Sequence, residues 1–343
     1  MIDSGATAVS SSELLLETLR QETGCSDLSY LQPPVQLSGG FYAEMLRFRL
    51  AGAPPELDRE LVARMMPDPA AGAWETTIQR AVAEQGFPTP RVRLSVPETS
   101  PLGRYLIVMD HIDGRPPMAG LSFGRIATQI PYLFRHLPDQ LAGIAADLHA
   151  LDPEPLAARL EALGGPIPTT TAGFVAEQAG LARLLGQPEV ARAGEQLLAA
   201  EPPSDARAIT HGDLHPFNLL ITSDGPALID WTVSRVAHPG FTLGFADLML
   251  TNPPIHFPGV VTIVLAPVLR SIAKRFLVTY RRLTEGTPAA VDGDQLDWHR
   301  RVHALRILTE LAGWQAAGTG PVQGHPWLAL QPVARRVLGL PPA

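Results

Sequence analysis

Short segments in the first third of the chain have the hydrophobic pattern of β-strands. Residues 44–50 largely alternate between apolar and polar side chains, which is the period of a half-buried strand. A helix is predicted over residues 73–85, because Trp74, Ile78 and Val82 recur at every fourth position and share one face. Further strands are predicted at 35–41, at 60–66, after Arg91 and at 105–109.

An earlier helix is predicted from Ser10 to Arg20. Ser10 and Glu13 have the spacing of a capping box, in which the two side chains satisfy backbone N–H groups at a helix start. Gly24 marks the end of this helix. The nine residues before Ser10 are mostly small or polar, and we predict that they are disordered.

The rest of the chain has mainly the period of helices. Residues 140–151 place Leu141, Ile144, Ala145 and Leu148 on one face. A β-hairpin is predicted within this helical region, because two short apolar strands, 219–221 and 227–229, flank a turn at Ser223-Asp224-Gly225. Further helices are predicted at 156–163, within 171–199, and at 260–284, 294–317 and 326–338.

Polar side chains cluster at one end of this hairpin. Asp213 and Asn218 precede its first strand, and Asp230 follows its second strand. Two carboxylates and an amide oxygen at one end of a hairpin suit a hard cation that prefers oxygen ligands, such as Mg2+. The spacing His-x-Asp-x4-Asn from His211, followed by an aspartate after an apolar run, is the catalytic-loop and metal-aspartate pattern of kinases.

The hairpin resembles that of the aminoglycoside phosphotransferase and choline kinase-like family. The resemblance is carried by His211-Gly212-Asp213, Asn218 and Ile229-Asp230-Trp231, and it extends over roughly residues 33–250. It implies an α+β, protein kinase-like fold of two lobes with ATP in the cleft between them. The first lobe, residues 1–114, would be a small antiparallel sheet with one helix, and the second, residues 115–343, would be larger and mainly helical.

The resemblance assigns nucleotide-binding roles to residues of the first lobe. The turn Ser38-Gly39-Gly40 would cover the nucleotide, and its backbone N–H groups can face a phosphate. Main-chain groups around Asp110 and Ile112 would hydrogen-bond the adenine, while Met109 would line the pocket behind it. The proposed role of Asp110 is limited to its backbone, and the plainer interpretation of the Asp110 and His111 side chains is exposure to solvent.

Arg64 and Glu75 are implied as the pair that holds the phosphates. Arg64 takes the position of the protein-kinase lysine, although a planar guanidinium differs from an ammonium group. Glu75 would fix that cation. Two plainer interpretations stay open: Arg64 as a solvated strand residue, and Glu75 as a first-turn glutamate that suits the helix dipole.

The resemblance also assigns roles at the hairpin. Asp213 would act as the catalytic base for the acceptor hydroxyl, and Asn218 and Asp230 would hold Mg2+. His211 and Asp247 would anchor the catalytic loop through contacts with its backbone. The expected reaction is Mg-assisted transfer of the γ-phosphate of ATP, with GTP as a possible donor, to a hydroxyl of a small molecule.

Composition narrows the classes of function. The chain has 343 residues, of which 45% are hydrophobic, and a formal charge of −7 without a basic stripe, which argues against a nucleic-acid partner. Cys25 is the only cysteine, so no disulfide can form within the chain and a cytoplasmic location is expected. The start of the chain lacks the pattern of a signal peptide. The apolar run Val260 to Leu269 is too short for a membrane helix, so no membrane partner is predicted.

Two rival interpretations of the hairpin are weaker. His211 and His215 lie four residues apart like a zinc pair, but no third nitrogen or thiolate ligand lies nearby in the sequence. The alternative function is a catalytically silent nucleotide- or ligand-binding module. The presence of all three of Asp213, Asn218 and Asp230 favours the enzyme.

The acceptor stays open among antibiotics, amines, sugars, amino acids and hydroxyacyl thioesters. The helices after the hairpin are expected to form the wall of its site. Carboxylates there would suit a cationic acceptor, and the candidates are few. We therefore infer no aminoglycoside pocket from Asp292, Asp294, Asp297 and Glu310.

Overall fold

The chain divides into two compact units, Met1–Asp113 and Gly114–Ala343. A computed structural model describes residues 10–37, 43–117, 123–202, 204–253, 259–318 and 326–342, without the side chains of 123–133, 259–265 and 326. The predicted disorder of residues 1–9 and the predicted nucleotide turn Ser38-Gly39-Gly40 lie outside the described residues.

The first unit is built on a five-stranded antiparallel sheet. A separate antiparallel pair joins β1 (Ser29–Tyr30) to β4 (Leu50–Ala51). The strands of the main sheet, in spatial order, are β2 (Val35–Gln36), β3 (Glu44–Phe48), β5 (Leu61–Met66), β7 (Tyr105–Asp110) and β6 (Val92–Val96).

The central strand β5 is buried on both sides, because a helix packs against each face of the sheet. Ala63 and Met65 face one core together with Leu15 of α1 (Ser11–Thr23). Val62 and Met66 face the other, where they pack near the start of α2 (Pro69–Glu84). Side chains alternate along a strand, so Arg64, between Ala63 and Met65, lies on the face of the sheet that packs against α2.

The starts of both helices follow from their capping residues. The capping box predicted for α1 is confirmed. The Ser10 hydroxyl accepts the backbone N–H of Glu13, and the Glu13 carboxylate accepts the backbone N–H of Ser10. Helix α2 begins earlier than predicted. The Asp68 side chain accepts the N–H groups of Ala70 and Ala71, at 2.9 and 3.3 Å, and proline occupies the first turn.

The second unit is mainly helical. Its strands form two antiparallel pairs, β8 (Ala208–Thr210) with β11 (Arg235–Ala237) and the predicted hairpin of β9 (Leu219–Thr222) with β10 (Gly225–Leu228). No helix in the described ranges is long and apolar enough to cross a membrane. The helices are α3 (Phe123–His149), α4 (Glu154–Leu163), α5 (Thr171–Leu184), α6 (Pro188–Ala199), α7 (Gly240–Thr251), α8 (Gly259–Leu283), α9 (Gly293–Ala316) and α10 (Pro326–Val337).

Helices α7 and α9 form the centre of this unit. Phe241 and Phe245 of α7 pack in one core with Trp298 and Leu305 of α9. The helices approach closely at Gly244, where an added Cβ atom would lie 2.7 Å from the backbone carbon of His299. This close contact fixes the position of α9 relative to the loop that precedes β9.

Candidate active site

The loop between β8 and β9 has a shape that only glycine allows at its second position. Gly212 has a φ of +68°, a conformation in which L side chains are strained. A Cβ atom there would lie 2.5 Å from Cε1 of Phe241. Gly212 therefore packs directly against Phe241 at the start of α7.

His211 is buried and holds the loop through both its ring and its backbone. Its Nδ1 accepts the backbone N–H of Asp213 at 3.3 Å, so the neutral ring donates from Nε2 to the Ile229 carbonyl at 3.1 Å. Its own carbonyl accepts the Ser234 hydroxyl at 2.9 Å. Backbone contacts of the kind predicted for His211 are thus present.

Two carboxylates act on the charge of His211. Burial lowers the pKa of His211, while the charges of Asp213 and Asp230 act in the opposite direction. The two aspartates that the sequence analysis assigned to one site therefore both influence this imidazole.

Asn218 ties the loop to the hairpin. Its Nδ2 donates to both the backbone carbonyl and Oδ2 of Asp213, at 2.9 Å each. Its own backbone carbonyl accepts the N–H of Ile229, at 3.1 Å, so Asp230 is the next residue along the opposite strand. Because the amide nitrogen faces Asp213, Oδ1 is the Asn218 atom that can bind a cation.

Asp230 has a strained backbone. Its φ is +68°, and no other non-glycine residue in the described ranges has a positive φ. Such a conformation costs roughly 1–3 kcal/mol and persists where the surroundings impose it. One carboxylate oxygen of Asp230 accepts the Thr232 hydroxyl at 2.6 Å.

Arg306 of α9 is a site residue that the sequence analysis missed. Its side chain is 5% exposed. It donates to the Gly212 carbonyl at 3.1 Å, to Oδ1 of Asp213 at 3.3 Å and to Glu310 at 2.8 Å. A charged residue within the otherwise apolar run Ala304 to Leu308 was the sequence feature that could have indicated a buried partner.

The ionised form of Asp213 is stabilised by its neighbours. Burial alone would raise the pKa of its carboxyl group, but a hydrogen bond from His215 and the charge of Arg306 outweigh burial and lower the pKa. Nδ1 of His215 accepts the backbone N–H of Phe217 at 3.2 Å, and Nε2 of His215 lies 3.5 Å from Oδ2 of Asp213. Asp213 is thus held as a carboxylate.

The same contacts argue against the zinc interpretation. Both ring nitrogens of His211 face protein groups, and those of His215 face Phe217 and Asp213. In the part of the chain that the structure describes, no group of three or more His, Cys, Asp or Glu residues could hold a metal ion.

Thr242, rather than Asp247, anchors the loop backbone. The Thr242 hydroxyl accepts the backbone N–H of His211 at 3.0 Å. The carboxylate of Asp247 instead pairs with Arg300 of α9, at 2.7 Å. The predicted contact of Asp247 with the loop is therefore wrong. The two residues lie five positions apart on α7, so they face different sides of the helix.

A chain of hydrogen bonds continues from Thr242 into the core. The Tyr280 hydroxyl donates to the Ala289 carbonyl at 2.9 Å, so it accepts from Nδ1 of His149 at 2.6 Å. Nε2 of the neutral His149 ring then accepts the Thr242 hydroxyl at 2.9 Å. This chain links α3, α7 and α8 to the backbone of His211.

In the first unit, Arg64 and Glu75 lie together as the resemblance implied. Nε of Arg64 is 3.4 Å from Oε1 of Glu75, and the side chains are 7% and 1% exposed. Arg64 is therefore not a solvated strand residue, and Glu75 is not a surface glutamate that only suits a helix dipole. Nε of Arg64 also lies 3.3 Å from the sulfur of Met66.

The end of β7 is fixed by ion pairs. Arg93 binds both carboxylate oxygens of Asp110, at 2.6 and 2.7 Å, so this partly exposed side chain is ion-paired rather than simply solvated. The Asp110 N–H donates to the Arg91 carbonyl at 3.0 Å. Met109 is buried against Gln79. Ile112 makes no main-chain hydrogen bond with another residue that the structure describes.

Carboxylates at the end of the second unit have partners or structural roles. Asp292 caps α9 by accepting the N–H of Gln295, and Asp294 lies in the first turn of that helix. Asp297 pairs with Arg301, and Glu310 pairs with Arg306.

Fold and site together define a class of protein. An antiparallel sheet, a mainly helical unit, and a loop and hairpin that bring together Asp213, Asn218 and Asp230 are features of kinase-like phosphotransferases. The chain belongs to the phosphotransferase enzyme family, whose family model matches residues 36–250. No curated protein matches the chain at a significant level.

Solved structures share this fold at low sequence identity. A candidate aminoglycoside phosphotransferase from Ralstonia eutropha is 20% identical, with a TM-score of 0.64 over 95% of each chain. A thermostable variant of aminoglycoside phosphotransferase APH(4)-Ia, in a ternary complex with ADP and hygromycin B, is 14% identical, with a TM-score of 0.61 over 95% of this chain and 98% of that chain. A choline/ethanolamine kinase family protein from Mesorhizobium loti is 15% identical, with a TM-score of 0.54 over 97% and 96%.

Proposed function

We propose that this protein transfers the γ-phosphate of ATP to a hydroxyl group of a small molecule, with Asp213 as the base. The observation that carries the proposal is the contact of Asp213 with Asn218, next to Asp230 on the paired strand. The APH(4)-Ia variant of the same fold binds ADP together with a small molecule, which supports the proposal.

Asp213 would accept the proton of the acceptor hydroxyl. The acceptor oxygen would then form a bond to the γ-phosphorus, and the bond from that phosphorus to ADP would break. Asn218 and His215 contact Oδ2 of Asp213, whereas Oδ1 has a single donor, Arg306, and keeps a lone pair for the acceptor proton. Catalysis of this kind depends mainly on positioning and electrostatic stabilisation.

The donor set at the hairpin fits Mg2+. Asn218 would offer its Oδ1 and Asp230 its carboxylate, both of which are hard oxygen ligands. Bound Mg2+ would neutralise negative charge on the phosphates. The strained backbone of Asp230 fits a residue whose position is set by function rather than by local conformational preference.

Residues of the first unit would bind the nucleotide. Arg64 would contact its phosphates, and Glu75 would fix the guanidinium, as their ion pair suggests. Main-chain groups at Ile112 would hydrogen-bond the adenine, with Met109 behind the base. Asp110 would contribute through its backbone, because its carboxylate is bound by Arg93.

The charge distribution favours an acceptor without several ammonium groups. Residues 259–342 contain ten Lys and Arg residues but five Asp and Glu residues, whereas the whole chain has a formal charge of −7. Glu310, which would otherwise attract an ammonium group, is neutralised by Arg306 next to Asp213. We expect a neutral or anionic alcohol to bind better than a polyamine.

A mass-spectrometric screen tests the function. A library of alcohols is incubated with the protein, ATP and Mg2+, and products are identified by the mass of one added phosphoryl group. The library includes an aminoglycoside and its fully N-acetylated derivative, which differ mainly in charge. We expect transfer to at least one acceptor, and the acetylated member to be the better of the pair.

Two variants assign the role of the base. Asp213→Asn should reduce kcat by roughly 100-fold or more, since a lost general base typically has an effect of this size. Asp224→Asn, in the exposed turn of the same hairpin, should leave activity unchanged. Full activity of Asp213→Asn would rule out the base, and absence of transfer across a broad library would overturn the proposed function.

A further inference from the structure

We infer that Arg306, held by Glu310, is a positioning residue for the catalytic loop. Its role in turnover rests on the proposed function, but its contacts with the loop do not. The motif residues all lie between positions 211 and 230, whereas Arg306 belongs to α9, 93 residues after Asp213. This long-range contact is a part of the site that the motif does not contain.

The three guanidinium nitrogens of Arg306 bind three different partners. One terminal nitrogen binds the Gly212 carbonyl and the other binds Oδ1 of Asp213, so the guanidinium holds both the backbone and the side chain of the loop. Nε binds Glu310. A planar fork of this kind fixes relative orientation, which the flexible ammonium group of lysine does less well.

The guanidinium is itself held in place by its surroundings. Its central carbon lies 5.2 Å from the ring centres of both Phe245 and Trp327. Glu310, one helical turn after Arg306, fixes Nε at 2.8 Å. Because its other contacts are already made, the guanidinium acts on Asp213 from a fixed position.

The contacts of Asp213 explain why Arg306 matters for orientation. The hydrogen bonds from Asn218 and His215 both approach Oδ2, while Arg306 approaches Oδ1. Donors on both oxygens fix the plane of the carboxylate. Without Arg306 the plane can rotate about its contacts at Oδ2, and a catalytic group displaced by about 1 Å can lose roughly 100-fold in rate.

Glu310 also limits how strongly Arg306 can pair with Asp213. The Glu310 carboxylate accepts from Nε, so only one terminal nitrogen of Arg306 contacts Asp213, through one hydrogen bond at 3.3 Å. Loss of the Glu310 charge would let Arg306 move towards Asp213 and occupy the lone pair that the base needs. Glu310→Gln should therefore lower kcat, although less than loss of Arg306.

The test compares Arg306→Met and Arg306→Lys with the matched control Arg300→Met. Arg300 lies on the same helix and also pairs with a buried aspartate, Asp247, but it does not contact the loop. The first measurement is hydrogen exchange by mass spectrometry for peptides covering residues 209–220, in the full-length protein. We expect roughly tenfold faster exchange in Arg306→Met, as lost local contacts lower protection, and no change in Arg300→Met.

The second measurement is turnover with an acceptor found in the screen. Arg306→Met should lower kcat with little change in the KM for ATP, and Arg306→Lys should recover part of the loss. Millimolar guanidinium chloride should partly restore the activity of Arg306→Ala and leave Arg300→Ala unchanged. A residue that supported only folding would not give this rescue.

The two measurements separate failure of this inference from failure of the proposed function. Unchanged loop exchange in Arg306→Met, or equal changes in Arg306→Met and Arg300→Met, would overturn the positioning role. Faster loop exchange together with unchanged kcat would also overturn it. If the unmodified protein phosphorylates no acceptor while Arg306→Met alone accelerates loop exchange, the proposed function fails and the structural role of Arg306 stands.

Discussion

Asp230 combines a candidate function with an unfavourable backbone conformation. Glycine adopts a φ of +68° without strain, whereas alanine does not. We therefore expect Asp230→Gly to be more stable than Asp230→Ala by about 1 kcal/mol, although both variants lose the proposed metal ligand and the activity. Urea unfolding of the two variants measures the difference.

The comparison of Gly with Ala isolates the backbone, because both substitutions remove the same carboxylate and its contact with Thr232. Equal stability of the two variants, or a more stable alanine variant, would contradict the strain at this position. Asp224→Gly and Asp224→Ala, in the exposed turn, provide the matched control pair.

At the residue scale, sequence reasoning succeeded where spacing was local. Asp213, Asn218 and Asp230 lie within one loop and hairpin, so their separations along the chain constrain their separations in space. Arg306 could not be found in this way, because its contact with Asp213 depends on how α9 packs on α7. The ion pair of Arg64 with Glu75 was predicted only from the family resemblance, which implies that a cation on this strand pairs with a glutamate on the next helix.

At the scale of elements, the link between α3, α7 and α8 makes Thr242 a sensitive position. Thr242→Val keeps the shape of the side chain but removes the acceptor of the His211 N–H and the donor to His149. We expect a loss of about 1–3 kcal/mol in the free energy of unfolding, as buried polar groups lose their partners. Thr242→Ser keeps the hydroxyl and should retain most of the stability.

Denaturant unfolding of both variants measures this effect. A further comparison uses His149→Phe, alone and combined with Thr242→Val. Because the two side chains share one hydrogen bond, the two losses should not add. Additive losses, or a serine variant as unstable as the valine variant, would contradict a connected chain of hydrogen bonds.

The same helix shows why the predicted anchor was the wrong residue. Asp247 was implied by the family resemblance, in which a buried aspartate lies at the start of the helix after the hairpin. Which side of α7 faces the loop depends on packing against α9, which the sequence pattern did not reveal. Helix α2 also began earlier than predicted, because its first turn is held by the Asp68 cap rather than by large apolar residues.

At the scale of the whole molecule, buried histidines should make stability depend on pH. Burial lowers the pKa of His149 and of His299 to about 3, and it also lowers the pKa of His211 and of His303. Between about pH 6.5 and 3, the unfolded chain therefore binds protons that the folded chain does not. Stability should fall as the pH decreases through this window, by up to about 1.4 kcal/mol per pH unit for each fully shifted histidine.

Urea unfolding at pH 7, 6 and 5 measures this slope. His149→Gln should make the slope shallower, because it removes one of the buried histidines with a lowered pKa. The carboxylate of Asp213 also has a lowered pKa, so its contribution is lost only in more acidic solution, below the ordinary value for aspartate. Stability that stays constant from pH 7 to pH 5 would contradict this account.

The position of Arg306 has a consequence for how shortened chains should be judged. The region that matches the family ends at residue 250, well before α9 begins. A gene fragment that stopped there would still encode every residue of the hairpin motif, and a motif search would score it as intact. We expect such a product to lack the guanidinium that orients Asp213, so an intact motif would be a poor guide to whether the encoded polypeptide works.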